Sequence, residues 1–266
     1  MAAEYLSWVP ADVDLSKPNA ARIYDYMLGG ANNFDVDRSF AKELLHTLPD
    51  ARSLAQENRG FLKRAVTFLA EQGITQYIDL GSGIPTVGNT HEVAQRIQPD
   101  SRVVYVDNEP VAVAHSELIL QDNPNATVLR ADVRDPESVV GHAATRELLD
   151  FTEPVAILMF AIMHFVPDEQ DPWGLIEVYR DATVSGSYLA ITHATSDLRP
   201  ELEVAIEAYK RTSNPSLQRS REETVALFDG YDLVEPGVVF ARDWRPEIEI
   251  EHLYPSAIYG GVGRRP

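Results

Sequence analysis

The spacing of apolar residues changes near Gly73 and divides the chain into two parts. Before Gly73, apolar residues recur every three or four positions, which is typical of amphipathic helices. This spacing predicts three helices: the first over Ala20–Leu28 with a stop at Gly29, the second ending near His46, and the third ending at Gly73. We therefore expect an N-terminal helical cap over residues 1–73.

After Gly73 the pattern becomes an alternation of apolar strands and helical stretches, which predicts a doubly wound α/β sheet with right-handed crossovers over residues 74–266. Nearly continuous apolar runs such as Val155–Phe160 are typical of strands buried on both faces of a parallel sheet. The five predicted strands of this kind are Gln76–Leu80, Arg102–Val106, Thr127–Arg130, Val155–Phe160 and Ser187–Thr192. Two further strands, Leu233–Phe240 and Ser256–Gly261, are expected to pair as an antiparallel edge.

The composition narrows the classes of protein. The chain has 266 residues, which suits one large α/β domain or a core with an appended cap, and its N-terminus lacks the pattern of a secretion signal. No apolar run approaches the length of a membrane span. Cysteine is absent, which excludes thiolate chemistry and disulfides, and the seven histidines lack the paired spacing of metal ligands. We therefore expect a cytoplasmic protein with neither a metal nor a membrane partner.

The charge argues against a nucleic-acid partner. Forty-one acidic residues against 23 basic ones give a formal net charge of −18, and this charge repels a phosphate backbone. The acidity otherwise indicates general solubility. A small or neutral substrate fits better.

The first predicted strand leads directly into a candidate ligand site. In an open α/β sheet, ligands lie outside the carboxyl ends of the strands, and Gly81 and Gly83 would let a ligand approach the backbone there. Two glycines alone also fit a plain structural turn. Asp79, two residues before Gly81, favours a ligand site over a plain turn. Its carboxylate would repel the pyrophosphate of a dinucleotide and attract a ligand that carries an ammonium and a sulfonium group.

Acidic residues also follow the second and third strands. Asp107, followed by Asn108, can accept hydrogen bonds from two ribose hydroxyls. Asp132 can accept from an adenine amine, while the amide of Val133 donates to the ring. Any one of these acids is more often an ordinary strand-end or helix-cap residue, but three in register after three successive strands favour a nucleoside site.

The chain resembles the class I S-adenosylmethionine-dependent methyltransferases in residues 77–83, Asp107 and residues 131–133. More narrowly, it resembles the actinobacterial S-adenosylmethionine methyltransferase family of unassigned substrate. The stretches that carry this resemblance are Ala21–Gly30, Asn33-Phe34, Asn58-Arg59, Asp79–Thr86, His91–Ala94 and Val104–Asn108.

The resemblance implies a fold and a cofactor. It implies a mostly parallel, Rossmann-like sheet of seven strands with the last strand antiparallel, and S-adenosylmethionine as cofactor with S-adenosylhomocysteine as product. On the family pattern, Asp79 and Gly81 lie by the methionine end, Asp107 by the ribose, and Asp132 with Val133 by the adenine. The other candidate cofactor contacts are Ser82, Gly83, Asn108, Phe160, Ala161, Arg59, Tyr26 and Asn33.

Candidate acceptor residues follow the later strands and lie in the cap. His164 follows the fourth strand, where the methyl group is expected to point, and is the candidate general base. His193 follows the fifth strand, and Tyr24 and Phe34 are candidates for the substrate pocket. The alternative is structural, because a histidine among apolar residues usually belongs to the core and cap aromatics can simply pack the cap onto the sheet.

Three classes of function remain open at this point. The favoured one is a methyltransferase acting on an unidentified small-molecule acceptor by in-line methyl transfer. The second is a protein that binds or senses S-adenosylmethionine without catalysis. The third, a nicotinamide-dependent enzyme, is disfavoured by Asp79.

Overall fold

A computed structural model describes residues 10–85, 88–248 and 255–266. Its helices are α1 (Ala20–Met27), α2 (Asp35–Thr47), α3 (Ala51–Glu71), α4 (Thr90–Ile97), α5 (Pro110–Leu120), α6 (Pro136–Val140), α7 (Ala143–Leu148), α8 (Pro172–Asp181), α9 (Glu203–Tyr209) and α10 (Arg221–Ala226). Its strands are β1 (Gln76–Leu80), β2 (Arg102–Asp107), β3 (Ala126–Arg130), β4 (Ala156–Phe160), β5 (Tyr188–Ala194), β6 (Asp232–Leu233), β7 (Val239–Phe240) and β8 (Ile258–Arg264). No helix within these ranges combines the length and apolarity needed to cross a membrane.

The strands form one sheet in the order β3-β2-β1-β4-β5-β8-β6, with β7 also paired to β8. Strands β1 to β5 are parallel and β8 is antiparallel to β5, so the doubly wound prediction and the five parallel strands are confirmed. The chain order reverses at β1, between β2 and β4. This reversal is the topological switch point at which α/β sheets bind ligands.

The C-terminal strands differ from the prediction in detail. The predicted strand Leu233–Phe240 is two short strands, β6 and β7, and both pair with β8. Between them the amide of Gly237 donates to the carbonyl of Val234 at 2.8 Å, and Pro236 has no amide to give to a ladder. Strand β8 lies inside the sheet between β5 and these pieces, so only β6 and β7 form the expected edge. The sheet thus has seven strand positions, and the last of them is divided.

Hydrophobic side chains fill both faces of the sheet. On β1, Ile78 and Leu80 belong to one buried cluster, and Tyr77 belongs to the opposite cluster with Phe61 and Leu62 of α3. This alternation follows from the two-residue repeat of a strand. Helix α3 therefore packs against the sheet itself as well as against the other N-terminal helices.

A third cluster lies above the carboxyl ends of the strands. It joins Ile23 of α1, Phe40 of α2 and Leu54 of α3 to Leu202, which comes after β5, and to Ala257. The helical layer over the sheet thus includes chain from both sides of residue 73. A division into domains at that residue stays a prediction.

Close approach of α3 to β8 depends on Gly260. A Cβ atom at this position would lie 2.6 Å from Cε2 of the Phe61 ring. We expect Gly260→Ala to lower the free energy of unfolding by about 1–3 kcal/mol because the buried ring must shift. Denaturant unfolding measures this change. The matched control is Gly60→Ala on α3, which should be neutral or stabilising by up to about 1 kcal/mol through helix propensity. Equal effects at both glycines would contradict this packing.

Candidate functional site

A cavity of about 260 Å³ lies between the third cluster and the carboxyl ends of β1, β2 and β4. Its volume is close to the lower end of the range for small-molecule sites. The structure brings many of the residues predicted from the sequence together around this cavity. They are Tyr24, Arg59, Asp79, Gly81, Ser82, Gly83, Asp107, Asn108, Phe160, Ala161 and His164.

The loop after β1 exposes its backbone to the cavity. Gly81 and Gly83 have φ angles of +65° and +66°, a conformation that favours glycine. A Cβ atom on Gly81 would lie 2.5 Å from the side chain of Ile162, so the loop passes close to the residues after β4. The hydroxyl of Ser82 is buried and has no hydrogen-bond partner among the described residues. This spare polar group is available to a ligand.

Asp107 connects this loop to the start of α5. Its two carboxylate oxygens accept from the amides of Gly83 at 2.7 Å and Glu109 at 2.8 Å. Burial raises the pKa of the carboxyl group, while these amides lower it. Each oxygen retains a further lone pair, so Asp107 can still accept from a ligand.

Asp132 and Val133 do not line the cavity. Asp132 accepts from the side-chain Nδ2 of Asn108 at 3.2 Å and pairs with Arg134, whose hydrogen bond lowers the pKa of the Asp132 carboxyl group. Val133 is buried, and its carbonyl accepts from Tyr179 at 2.9 Å. Asp132 thus lies beside a cavity residue, and its role toward adenine stays a prediction.

Asp79 is a buried carboxyl group with a perturbed pKa. Burial raises its pKa to about 6, against the hydrogen bond from Thr90 at 2.6 Å and the positive charge of Arg59, both of which lower it. Arg59 itself donates to the carbonyl of Gly88 at 2.8 Å. A bound cation near Asp79 would favour the ionised form.

A chain of hydrogen bonds runs from the sheet to the cap across one side of the cavity. The amide of Ala161 donates to the Thr192 hydroxyl at 2.7 Å, and that hydroxyl donates to Asn58 at 2.6 Å. The Asn58 side chain donates to the Tyr24 hydroxyl at 2.9 Å, and Tyr24 donates to the carbonyl of Ala55 at 3.1 Å. These hydrogen bonds hold the backbone of Ala161, whose φ of +53° is unusual for a residue other than glycine.

Sequence reasoning missed Thr192, and it named Asn58 only within the Asn58-Arg59 stretch that carries the family resemblance. Asn58 occupies the apolar face of α3, four residues after Leu54 and four before Leu62, and it is only 3% exposed. A polar residue at such a position needs a partner. That pattern is a signal by which the sequence could have revealed it.

His164 lies on a short 3-10 turn, Met163–Phe165, directly after β4. Its Nδ1 atom is buried and has no hydrogen-bond partner among the described residues. Burial and the nearby His193 and Arg219 lower its pKa to about 3. The ring is therefore neutral near pH 7 and available for hydrogen bonding.

His193 does not line the cavity and stands behind His164, with ring centroids 5.8 Å apart. Its Nδ1 atom donates to the carbonyl of Ala194, and its Nε2 atom accepts from Arg219, both at 2.8 Å. Arg219 also donates to the carbonyls of Met163 and Val166, which fixes the turn that carries His164. The sequence does not single out Arg219, because its partners are distant along the chain.

The structure does not bring Tyr26, Asn33 or Phe34 to the cavity lining. The side-chain amide of Asn33 donates to Asp25 at 2.7 Å and to the carbonyl of Gly30 at 3.0 Å, so it stabilises the connection between α1 and α2. The two aromatic rings lie against arginine guanidinium groups: Tyr26 against Arg52 at 5.0 Å and Phe34 against Arg22 at 5.4 Å. In this arrangement each ring lies against an arginine of the protein, and neither ring lines the cavity.

The sheet order, the switch-point cavity and the strand-end acids together define a Rossmann-like class I methyltransferase fold. Residues 6–266 match the model of the S-adenosyl methyltransferase family, and the chain belongs to that family. It is an S-adenosylmethionine-dependent methyltransferase, as the resemblance implied, and S-adenosylmethionine is its cofactor.

Two solved structures are similar over almost the whole chain. One is a provisionally assigned methyltransferase from Thermobifida fusca YX, with 40% identity, a TM-score of 0.93, and coverage of 97% of this chain and 99% of that chain. The other is a DUF574 family protein from Streptomyces avermitilis MA-4680, with 37% identity, a TM-score of 0.92, and coverage of 95% and 99%.

A more distant structure shares the fold alone. The N-methyltransferase NodS from Bradyrhizobium japonicum WM9, in complex with S-adenosylhomocysteine, has 12% identity, a TM-score of 0.52, and coverage of 92% of this chain and 99% of that chain. None of the curated proteins compared with this chain matches it.

Thr192→Val tests the hydrogen bonds between sheet and cap. Valine keeps the shape but leaves the Ala161 amide and the Asn58 oxygen without their partner, so we expect the free energy of unfolding to fall by about 1–3 kcal/mol. The control is Thr127→Val on β3, where the hydroxyl makes no side-chain hydrogen bond to a described residue, and the change should stay within about 0.5 kcal/mol. Denaturant unfolding measures both, and a neutral Thr192→Val would rule out this structural role.

Proposed function

We propose that the chain transfers the methyl group of S-adenosylmethionine to a small-molecule acceptor held in the same cavity. The observation that carries this proposal is the extent of the cavity, which runs from the strand-end residues Asp79 and Asp107 to Leu44 and Leu48 of the cap. One internal space therefore adjoins both a polar end and an apolar end. Holding two reactants in such a space favours transfer by fixing their alignment.

The polar end fits the cofactor. Gly81 and Gly83 leave the backbone open, the Ser82 hydroxyl is unpartnered among the described residues, and Asp107 has spare acceptor capacity. S-adenosylmethionine supplies an electrophilic methyl group on a positively charged sulfur atom.

Specific contacts follow the family pattern and the sequence. Asp79 and Gly81 would hold the methionine end with Arg59, and Asp107 with Asn108 would hold the ribose. Asp132 and Val133 would lie by the adenine, and Phe160 and Ala161 by the reacting end.

The apolar end suits the acceptor. Tyr24 and His164 are the polar groups among the predicted acceptor residues that line the cavity. We assign to His164 the task of hydrogen bonding to the acceptor, which orients the nucleophilic atom. Its pKa of about 3 makes complete proton abstraction by this ring weak near pH 7, because an effective general base has a pKa near the working pH.

The charge of the chain supports a small acceptor over a nucleic acid. A formal net charge of −18 repels phosphate, and nucleic-acid binding depends on basic side chains that displace counterions. The cavity volume of about 260 Å³ also suits a small molecule.

A labelling experiment tests the proposed function. The protein is incubated with S-adenosylmethionine labelled in its methyl group and with a cell extract separated into low-molecular-mass and macromolecular fractions. We expect label to enter the low-molecular-mass fraction, and Asp107→Ala to abolish this transfer because the cofactor site loses its acceptor. Label found only in protein or nucleic acid would overturn the proposal.

Asp79 should make cofactor binding depend on pH. Its pKa of about 6 is raised above the ordinary value, so in the empty site the carboxyl group is mostly protonated at about pH 5 and mostly ionised at about pH 7.5. If the ionised form holds the ammonium group, affinity for S-adenosylhomocysteine should fall roughly tenfold between about pH 7.5 and about pH 5. Calorimetric titration at both pH values measures the dissociation constant.

Asp79→Asn provides the control for this pH dependence. It removes the titrating group, so binding should be weaker at the higher pH and nearly independent of pH. A wild-type affinity that does not change with pH would show that Asp79 does not hold a positive charge of the cofactor.

A further inference from the structure

Charged side chains are unevenly distributed around the cavity. Within the described part of the chain, the charged residues that line it are Arg59, Asp79, Asp107 and Glu109. The three acids lie at or just after the ends of β1 and β2, and the charge of Arg59 acts on Asp79. All four therefore belong to the end that the proposed function assigns to the cofactor.

Apart from Arg59, the lining contributed by the cap and by residues 194–218 is neutral among the described residues. It consists of aliphatic and aromatic side chains such as Met27, Leu54, Leu202 and Tyr209, with a few uncharged polar groups. An ionised group placed there would lose its hydration and would meet no charged side chain of the described lining, and Arg219 behind this lining is already paired with Asp168. That cost is far larger than the cost of placing a neutral group, so the acceptor end selects against charge.

Two polar atoms in this lining have no protein partner. Nδ1 of His164 and Oε1 of Gln218 are both buried, and neither makes a hydrogen bond to a described residue. A buried acceptor without a donor costs free energy, and native structures rarely leave such atoms unsatisfied. A ligand that brings a donor would satisfy them.

The surroundings of His164 keep its ring neutral. Arg219, which is 3% exposed, lies behind it together with His193, and its positive charge opposes a second proton on the His164 ring. No carbonyl or carboxylate of the described residues accepts from Nδ1, so the single ring proton is better placed on Nε2. Nδ1 is then a hydrogen-bond acceptor, as Gln218 Oε1 is.

From these observations we propose that the methyl acceptor is an uncharged, largely apolar small molecule that presents a hydroxyl or an uncharged N–H group to His164 and Gln218. This inference rests on the proposed function and names the class of its substrate. The apolar lining contacts the hydrophobic part of the molecule, and the two acceptor atoms accept hydrogen bonds from its donor group. Charged acceptors such as carboxylates and ammonium compounds are excluded by the same lining.

A matched set of naphthalene derivatives tests the inference without catalysis. Naphthol, naphthalene, naphthoate and naphthylmethylammonium share one ring system and differ in charge and in the donor. Each is titrated calorimetrically into protein saturated with S-adenosylhomocysteine. We expect naphthol to bind at least about tenfold more tightly than either charged probe and about three- to tenfold more tightly than naphthalene.

Substitutions locate the preference for a donor. His164→Leu and Gln218→Leu should each reduce the ratio between naphthol and naphthalene affinities, and the double variant should bring it close to one. His46→Leu, the same replacement at an exposed histidine of α2, should leave the ratio unchanged. Titration of S-adenosylhomocysteine into each variant reports whether the cofactor site is intact.

The outcomes separate this inference from the proposed function. If S-adenosylhomocysteine binds and label enters small molecules, but a charged probe binds as tightly as naphthol or no probe binds, the inference on substrate class fails alone. A ratio that survives in the double variant also overturns it. Label found only in macromolecules overturns the proposed function itself.

Discussion

The hydrogen bond between the Thr192 hydroxyl and Asn58 is the contact on which the geometry of the site depends most. Thr192 lies on β5 and Asn58 on α3, 134 positions apart in sequence, and both side chains are buried. Through Thr192 the bond holds the unusual backbone of Ala161, and through Asn58 it reaches Tyr24 of α1. The sheet supplies the strand ends and the cap supplies the apolar lining. The hydrogen bonds among Thr192, Asn58, Ala161 and Tyr24 fix the position of the cap relative to the strand ends.

The strand-end acids could be predicted because a parallel sheet imposes their position. Once β1 and β2 are recognised as buried parallel strands, their carboxyl ends must meet at one edge, and Asp79 and Asp107 follow from that rule. Helices α1 to α3 could be predicted from their periodicity. These predictions needed only local patterns and general rules of topology.

Other parts of the site depend on contacts that local patterns do not contain. The structural role of Arg219 comes from its hydrogen bonds to the carbonyls of Met163 and Val166, which lie more than fifty positions earlier in the sequence. Asn33, a candidate cofactor contact, donates from its side-chain amide to Asp25 and to the carbonyl of Gly30 in the turn after α1. A short polar side chain near a glycine turn can either contact a ligand or hydrogen-bond within the turn, and the local sequence does not show which of the two it does.

The charged side chains of the described cavity lining lie at one end of the cavity, and this distribution determines which molecules the two ends can hold. Ionisable groups collect where a charged cofactor would lie, and the described lining at the proposed place of the acceptor is neutral. Burial lowers the pKa of His164 and keeps its ring uncharged, and His193 and Arg219 behind this lining add to the effect. The site is thus suited to aligning a neutral molecule with the cofactor.

The structure of the protein with S-adenosylhomocysteine bound tests the central claim most directly. We predict that the ligand lies against the Gly81–Gly83 loop, with its ribose by Asp107 and its sulfur atom facing the space lined by His164 and Tyr24. A ligand whose sulfur atom faces bulk solvent, with the cap lining turned away from it, would contradict the account of a shared cavity for cofactor and acceptor.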